Sequence, residues 1–289
     1  MVKKPAEEKP EIQTTGHNWD GITELDTPMP RWWLLTFYAT IIFAIGYVIA
    51  YPAWPLVNKA TGGILGWSSR GAVAEQLDAI AKARAPLDER LVSLDLPSVA
   101  KDPELGSYAI SGGAAIFRNN CSQCHGAGGA GVQAGGYPNL LDDDWLWGGT
   151  IEDIHQTIRH GIRFTADDDT RFNEMPAFAE LLEPEDIGKL ANYVLSLSDQ
   201  PHDAALAEAG APLFEENCTA CHGENGEGDR EQGAPNLTDA IWLFGSDPGA
   251  ITKTISTGRG GVMPAWASKL SEADIRKVSV YVHELGGGE

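Results

Sequence analysis

A five-residue motif that occurs twice places the strongest constraint on this chain. Cys-x-x-Cys-His starts at Cys121 and again at Cys218, 97 residues later. In this motif each cysteine can form a thioether with a vinyl group of haem, and the histidine can bind the iron. A redox dithiol or a zinc pair beside a chance histidine is the alternative, but the two copies use all four cysteines of the chain. The sequence therefore predicts two covalent haem c groups, attached at Cys121, Cys124, Cys218 and Cys221, with His125 and His222 as iron ligands.

Two methionines are the candidates for the second axial ligand of each iron. Of the four methionines in the chain, Met175 and Met263 are each followed by proline, and each comes after one haem motif. Methionine thioether is a common sixth ligand of electron-transfer haem because it raises the reduction potential. We therefore expect His125 and Met175 to bind one iron, and His222 and Met263 to bind the other.

Two histidines offer an alternative to methionine after the first motif. His155 and His160 lie between that motif and Met175, and either could in principle give an iron with two histidine ligands. The residues at the matching positions after the second motif are Thr252 and Thr257. The repeated pattern therefore favours methionine at both irons.

The two motifs belong to a longer internal repeat. The matching residues are Gly113, Phe117, Asn120, Pro138, Asn139, Leu140, Trp145, Ile154, Ile158 and Gly161 in the first copy and Gly210, Phe214, Asn217, Pro235, Asn236, Leu237, Trp242, Ile251, Ile255 and Gly258 in the second. No gap is needed to align them. The first copy then carries nine additional residues, because Met175 follows Cys121 by 54 residues and Met263 follows Cys218 by 45. Two copies of one fold are predicted.

The repeat resembles the class I cytochrome c domain over residues 105–200 and 201–289, so we expect one such domain from each copy. The resemblance implies a helix that ends at each motif, a short helix that holds Trp145 or Trp242, and a C-terminal helix that packs on the first. Helical spacing of apolar residues supports the two C-terminal helices. These residues are Ile187, Leu190, Ala191 and Val194 in the first copy and Ile275, Val278 and Val282 in the second.

The same resemblance gives a role to two prolines. In this domain family a proline carbonyl accepts a hydrogen bond from Nδ1 of the ligand histidine, which makes Nε2 a better donor to the iron. Pro138 and Pro235 each lie thirteen residues after a motif histidine and would fill this role. A simple turn of the loop is the alternative function of these prolines.

An uncharged stretch near the N-terminus predicts one membrane-spanning helix. Residues 32–51 contain no charged side chain, and at about 1.5 Å per residue twenty residues span about 30 Å, the thickness of a bilayer's hydrocarbon core. Tryptophan and tyrosine at both ends fit the aromatic belts of such a helix, and a buried core helix is the alternative.

The predicted order is a cytoplasmic segment (1–31, with 1–16 disordered), a transmembrane anchor (32–54), a periplasmic connector (55–104) and the two haem domains. For the connector, a helix packed on a partner subunit and a plain spacer remain open.

Charge excludes one class of partner and suggests another. The chain has 41 acidic against 21 basic residues, a net charge of −20, and nearly all of the excess follows the membrane segment. Such a surface disfavours nucleic acid and would steer a basic partner, for which a lysine-rich soluble cytochrome c is the obvious candidate. A surface that is merely well solvated is the alternative. Basic residues are balanced across the membrane segment, so its orientation rests on haem attachment, which takes place outside the cytoplasm.

The residues that flank the membrane segment, with several in the first haem domain, resemble one family. They are Asp20-Gly21-Ile22, Glu24-Leu25-Asp26, Pro28, Pro30-Arg31-Trp32-Trp33, Tyr51-Pro52-Ala53-Trp54-Pro55, Gly161-Ile162-Arg163, Thr170-Arg171 and Met175-Pro176-Ala177-Phe178. The family is the dihaem subunit (subunit III) of cbb(3)-type cytochrome c oxidase, and the resemblance covers nearly the whole chain. It implies a bacterial inner-membrane protein that takes electrons from a periplasmic cytochrome c or from the cytochrome bc complex. The electrons would pass through its two haems to a monohaem subunit and then to the haem–copper centre of another polypeptide.

Two other classes of function remain open from the residues alone. A dihaem enzyme such as a peroxidase would need one labile iron ligand, which carbon monoxide binding or a high-spin spectrum would reveal. An anchored cytochrome that serves a periplasmic dehydrogenase would copurify with that enzyme. One methionine per motif favours an electron relay, because an iron with two protein ligands has no position for a substrate. We therefore expect no catalytic residue in this chain.

Overall fold

Helices dominate the computed structural model of the chain, which describes residues 13–239 and 241–289. The mainly α fold predicted from the sequence is thereby confirmed. The α-helices are α1 (Arg31–Ala50), α2 (Ser69–Ser93), α3 (Leu96–Lys101), α4 (Pro103–Asn120), α5 (Ser122–His125), α6 (Ile151–His160), α7 (Pro184–Leu197), α8 (Ala204–Asn217), α9 (Thr219–His222), α10 (Pro248–Thr257) and α11 (Glu272–His283). The chain forms two compact units, with the boundary between Ala83 and Arg84.

A β-hairpin begins the described part of the first unit. Strands β1 (Thr14–Trp19) and β2 (Ile22–Leu25) pair antiparallel. At the turn Asp20 and Gly21 have φ of 49° and 90°, the left-handed conformations that an Asp-Gly hairpin turn requires. Disorder was expected over residues 1–16. Residues 14–16 correct that expectation because strand pairing orders them, and residues 1–12 lie outside the described residues.

Helix α1 matches the predicted membrane span. It has a mean hydropathy of 2.0 and buries none of its side chains against the rest of the chain. Its length and composition suffice to cross a bilayer, and lipid would cover the apolar side chains that the protein leaves exposed.

The C-terminal part of the predicted connector belongs to the second unit and packs in its core. Leu91 at the end of α2 and Val99 in α3 are fully buried, in a cluster with Leu105 of α4 and Val280 of α11. Nη1 of Arg276 donates to the carbonyl oxygens of Leu91 and Leu94, at 3.0 and 2.6 Å. This part of the connector is therefore not a plain spacer, because Leu91 and Val99 pack in the core of the chain itself. A helix packed on a partner subunit stays a prediction.

Two cytochrome c folds make up the rest of the second unit, and we name them by their helices. Fold A contains α4, α5, α6 and α11, and fold B contains α7, α8, α9 and α10. Helix α11 packs on α4 and α6, while α7 packs on α8 and α10. Gly113 of α4 lies against the backbone of Lys277, and Gly210 of α8 lies against that of Lys189, so neither position has room for a side chain.

The cores of both folds confirm the apolar patterns predicted for the C-terminal helices. Fold A buries Phe117, Leu140, Ile154, Ile158, Ile275, Val278 and Val282. Fold B buries Phe178, Ile187, Leu190, Ala191, Val194, Leu195, Phe214, Ile251 and Ile255.

Each fold combines parts of both sequence repeats, which corrects the expectation of one domain from each copy. The first copy supplies α4, α5 and α6 to fold A but its C-terminal helix α7 to fold B. The second copy supplies α8, α9 and α10 to fold B and its C-terminal helix α11 to fold A. The residues of 105–200 and of 201–289 thus exchange their last helices.

The physical reason for the exchange lies in two segments that cross. After α6 the chain leaves fold A at Gly161, and after α10 it leaves fold B at Gly258. Ile162 and Met263 exchange backbone hydrogen bonds of 2.9 and 3.0 Å where the segments pass. Gly161 and Gly258 have φ of 74° and 60°, and a Cβ at either would collide with the carbonyl oxygen of the methionine delivered from the other copy.

Candidate haem-binding sites

The two Cys-x-x-Cys-His motifs occupy equivalent positions at the ends of helices, as predicted. Helix α4 ends at Asn120, and the motif forms the single turn α5, which Gly126 ends with φ of 78°. Helix α8 ends at Asn217, and α9 is ended in the same way by Gly223, also with φ of 78°. The motif backbone is fixed by its own helix in each fold, and none of the four cysteines forms a disulfide.

The predicted contacts between histidine and proline are present in both folds. Nδ1 of His125 lies 3.3 Å from the carbonyl oxygen of Pro138, and Nδ1 of His222 lies 3.1 Å from that of Pro235. A hydrogen bond here puts the proton on Nδ1 and leaves Nε2 free for a metal. Burial lowers the pKa of both histidines, which favours the neutral imidazole that binds iron.

The methionines lie opposite the motifs of the other copy. Met175 and Cys218 both pack against the core of fold B, and Met263 and Cys121 both pack against the core of fold A. A cavity of about 1040 Å³ is lined by Met175, His222 and both cysteines of the second motif. The expected pairing of each motif with its own methionine is therefore corrected, because the crossing segments carry each methionine into the other fold.

His155 and His160 are bound to carboxylates. Nε2 of His155 lies 3.0 Å from Glu272 Oε1, and Nδ1 of His160 lies 3.0 Å from Asp167 Oδ1. Both histidines belong to α6 in fold A, whereas Met175 lies in fold B. The geometry gives neither histidine a way to replace Met175.

Trp145 and Trp242 do not lie in short helices, which corrects a further expectation. Each stands in an irregular segment before α6 or α10, and those helices start later, at the side-chain caps Thr150 and Asp247. Nε1 of Trp145 donates to the carbonyl oxygen of Gly287 at 2.5 Å. The matching N–H of Trp242 has no partner.

Unpartnered donors test whether haem fits these sites. Among the described residues three buried side-chain N–H groups lack an acceptor, on Trp147, Arg171 and Trp242. Buried donors are nearly always satisfied in a complete structure, and the two propionate carboxylates of haem are strong acceptors. Trp242 lines the fold B cavity, and Arg171 binds Asp153 of α6 in fold A at 2.8 Å. The four motif cysteines, the cavity and these donors fit haem.

Sequence reasoning missed Trp147 as a site residue and used Arg171 only for the family resemblance. The guanidinium of Arg171 lies over the Trp147 ring at 5.7 Å, and that of Arg259 lies over Phe244 at 4.6 Å. Phe244 occupies the position of the second copy that matches Trp147. The sequence did contain a signal for this contact. An aromatic residue stands at the same offset in both copies, and an arginine comes later in each copy.

Together, a helix able to span a membrane and two cytochrome c folds built around Cys-x-x-Cys-His motifs define a membrane-anchored c-type cytochrome. The family described as the N-terminal domain of cytochrome oxidase-cbb3, FixP, matches residues 11–58. The family described as cytochrome C oxidase, cbb3-type, subunit III, matches residues 109–194 and 205–282.

Full-length relatives agree with these matches. The cbb3-type cytochrome c oxidase subunit CcoP of Cereibacter sphaeroides is 58% identical over 292 residues, which cover 100% of both chains. Subunit FixP of Azorhizobium caulinodans is 55% identical over 96% of this chain and 94% of its own. The chain belongs to the subunit III family of cbb3-type cytochrome c oxidases. It is an electron-transfer subunit with a membrane anchor and haem c-binding domains, and it forms a complex with other oxidase subunits.

Proposed function

We propose that the chain carries electrons through two haem c groups from a periplasmic donor to the catalytic subunit of the oxidase. One haem is attached at Cys121 and Cys124, and its iron is bound by His125 and Met263. The other is attached at Cys218 and Cys221, and its iron is bound by His222 and Met175. The supporting observation is that Met175 and His222 line one cavity with both cysteines of the second motif. An iron with both axial positions filled transfers electrons without binding substrate.

The protein side chains hold each haem and set its environment. Bound haem c supplies one-electron redox chemistry. The carbonyls of Pro138 and Pro235 fix the imidazole rings, and the apolar cores of the two folds exclude water from the iron. The unpartnered N–H groups of Trp147, Arg171 and Trp242 would donate to haem propionates and so fix the position of the haem groups.

Haem attachment also supports an orientation. Thioethers to haem form outside the cytoplasm, so the haem folds are periplasmic and the segment before α1 is cytoplasmic. The monohaem cytochrome subunit receives the electrons next, and the haem–copper subunit reduces oxygen.

A purification tests the relay. A tag at Glu289 and a mild detergent are expected to recover a haem–copper subunit and a monohaem cytochrome, with cyanide-sensitive oxygen uptake. A flavin or quinoprotein dehydrogenase in their place would contradict the proposal. Carbon monoxide binding to the reduced chain alone would show a labile ligand and favour an enzyme of the peroxidase type.

A difference between the two motif loops supports a basic soluble cytochrome c as the donor. The loop after His222 carries Glu224, Glu227, Asp229 and Glu231 against Arg230, while residues 126–141 after the first motif carry no charge. Glu224, Glu227 and Glu231 are exposed, so a basic partner could approach the fold B haem across an acidic surface. The cytochrome bc complex remains the alternative donor.

Neutralising these side chains tests the docking of the donor. The triple variant Glu224→Gln, Glu227→Gln and Glu231→Gln is expected to slow reduction by a basic cytochrome c at low salt and to flatten its salt dependence. The matched control neutralises three exposed acidic residues elsewhere, Asp168, Glu180 and Glu185. Equal effects of the two triple variants would contradict docking at this loop.

A further inference from the structure

The chain turns back immediately after the membrane-spanning helix. Residues 54–61 form a small hairpin, in which Leu56 N donates to Lys59 O at 2.6 Å and Thr61 N donates to Trp54 O at 2.9 Å. The segment then returns to the end of α1, where Ile64 N bonds to Ile49 O at 3.0 Å. We call residues 52–68 the post-span loop.

Close backbone contact fixes the depth of this loop. Leu65 N donates to Ala50 O at 3.2 Å, so two carbonyl groups that a helix end leaves free are satisfied by the returning chain. Gly63, with φ of 68°, lies against the carbonyl of Ala50, where a Cβ would collide. Ile64 and Leu65 therefore lie at the level of the last turn of α1 and not beyond it.

The post-span loop turns apolar side chains outward. Val57 is fully exposed and Ile64 is 79% exposed. The other exposed apolar side chains are Trp54, Leu56, Leu65 and Trp67. Lys59 is the one ionisable residue in the sequence of the post-span loop. An exposed apolar surface of this kind marks a contact with lipid or protein.

We propose that the post-span loop inserts into the membrane boundary at the C-terminal end of α1 and is covered by lipid. The loop continues the exposed apolar surface of α1 at the same depth, and its two tryptophans are residues typical of the headgroup level. Lys59 at the hairpin turn would reach lipid phosphate, as lysines near membrane surfaces do. The loop thus fixes how far the anchor enters the bilayer. The inference rests on the proposal that α1 spans the membrane.

Photocrosslinking in the intact oxidase tests the insertion. A diazirine-bearing amino acid is placed at Val57 or Ile64, and the complex is reconstituted in nanodiscs of phosphatidylethanolamine and phosphatidylglycerol. Ile42, 72% exposed in the middle of α1, is the lipid-facing reference, and Leu206, exposed on α8, is the reference outside the membrane. After illumination, mass spectrometry measures lipid adducts at each position.

Lipid adducts at Val57 and Ile64, several-fold above the yield at Leu206 and close to that at Ile42, are expected. Crosslinks from Val57 and Ile64 to another subunit would overturn the inference and show a protein interface. Reaction with water alone at both positions would also overturn it. In either case lipid adducts at Ile42 would leave the spanning helix intact, whereas reaction of Ile42 with water alone would remove the span and the inference together.

Discussion

The Nδ1 atom of each motif histidine faces a main-chain carbonyl, so neither imidazole can rotate without losing a partly buried hydrogen bond. Pro138 and Pro235 hold these carbonyls at 3.3 and 3.1 Å from the two rings. The proline contacts follow from the family resemblance, and both are found. The choice of methionine does not follow from sequence, because Met175 and Met263 occupy matching positions that serve either motif equally well.

The exchange of methionines predicts which haem responds to each substitution. Met263→His should lower the potential of the haem at Cys121 and Cys124, by on the order of 100 mV within the range of about 0.8 V that axial ligands cover. The measurement is a potentiometric titration in a chain whose second motif is disabled by Cys218→Ser and Cys221→Ser.

Met175→His in the same single-haem chain is the control and should leave the remaining haem unchanged. A shift caused by Met175→His, with none from Met263→His, would show that each motif uses the methionine of its own copy.

The unpartnered N–H of Trp147 predicts a smaller shift. Trp147→Phe keeps the aromatic contact with Arg171 and removes a hydrogen bond of about 1 kcal/mol, which sets an upper limit of about 40 mV on the shift for one electron. The potential of the haem whose propionate accepts from Trp147 should fall, because a propionate without its donor stabilises ferric iron. The comparison variant is Phe244→Trp, at the matching position of the second copy. Unchanged potentials of both haems would exclude the contact between Trp147 and a propionate.

Asp144 gives a prediction for pH. The pKa of Asp144 is raised to about 6. Burial is the largest cause, and the nearby carboxylates of Asp239 and Asp142 add to it. Because the folded state holds this proton more tightly than the unfolded state, the cost of ionisation is fully present above pH 6 and disappears as the pH falls toward 4. Asp144→Asn should therefore add about 1 kcal/mol to the free energy of unfolding at pH 8, after allowance for solvent screening, and less at pH 5. Guanidinium titrations at the two pH values check this, and an equal gain at both would contradict it.

At the scale of elements, the helices could be predicted and their partners could not. Apolar spacing located α7 and α11, and the motif located the ends of α4 and α8. Both C-terminal helices carry the same pattern against the same glycine, with Gly113 and Gly210 each facing a lysine backbone. The shared glycine contact therefore does not distinguish α4–α11 from α4–α7. Helix α11 does differ from α7 in its contacts with the connector, because Arg276 donates to the carbonyl oxygens of Leu91 and Leu94.

The crossing glycine Gly161 predicts a large effect from a small substitution. Gly161→Ala forces a side chain into a left-handed conformation and against the backbone of Met263, which should cost about 1–3 kcal/mol of stability. Gly188 in α7 has open space around its Cα, so Gly188→Ala is the control and should be neutral or gain about 0.5–1 kcal/mol. Denaturation followed by tryptophan fluorescence measures both. Equal stabilities would show that the segments do not pass as closely as described.

At the scale of the whole molecule, the exchange joins the two haem folds more firmly than a linker would. Residues 198–203 form the exposed connection between α7 and α8, and a specific protease site inserted between Gln200 and Pro201 should be cut without unfolding the protein. The two fragments should then elute together in gel filtration, because each supplies a helix to both folds. Their separation should require denaturant. Two independent haem-bearing fragments after cleavage would contradict the exchange.

The exchanged helices also limit how such a chain can change over generations. Tandem repeats are ordinarily gained and lost one unit at a time, since each unit survives without its neighbour. Here deletion of residues 201–289 would leave His125 without Met263 and α4 without α11, while α7 would have lost the helix it covers. Neither fold would remain complete after deletion of the other copy, so the two copies can only be inherited as a pair.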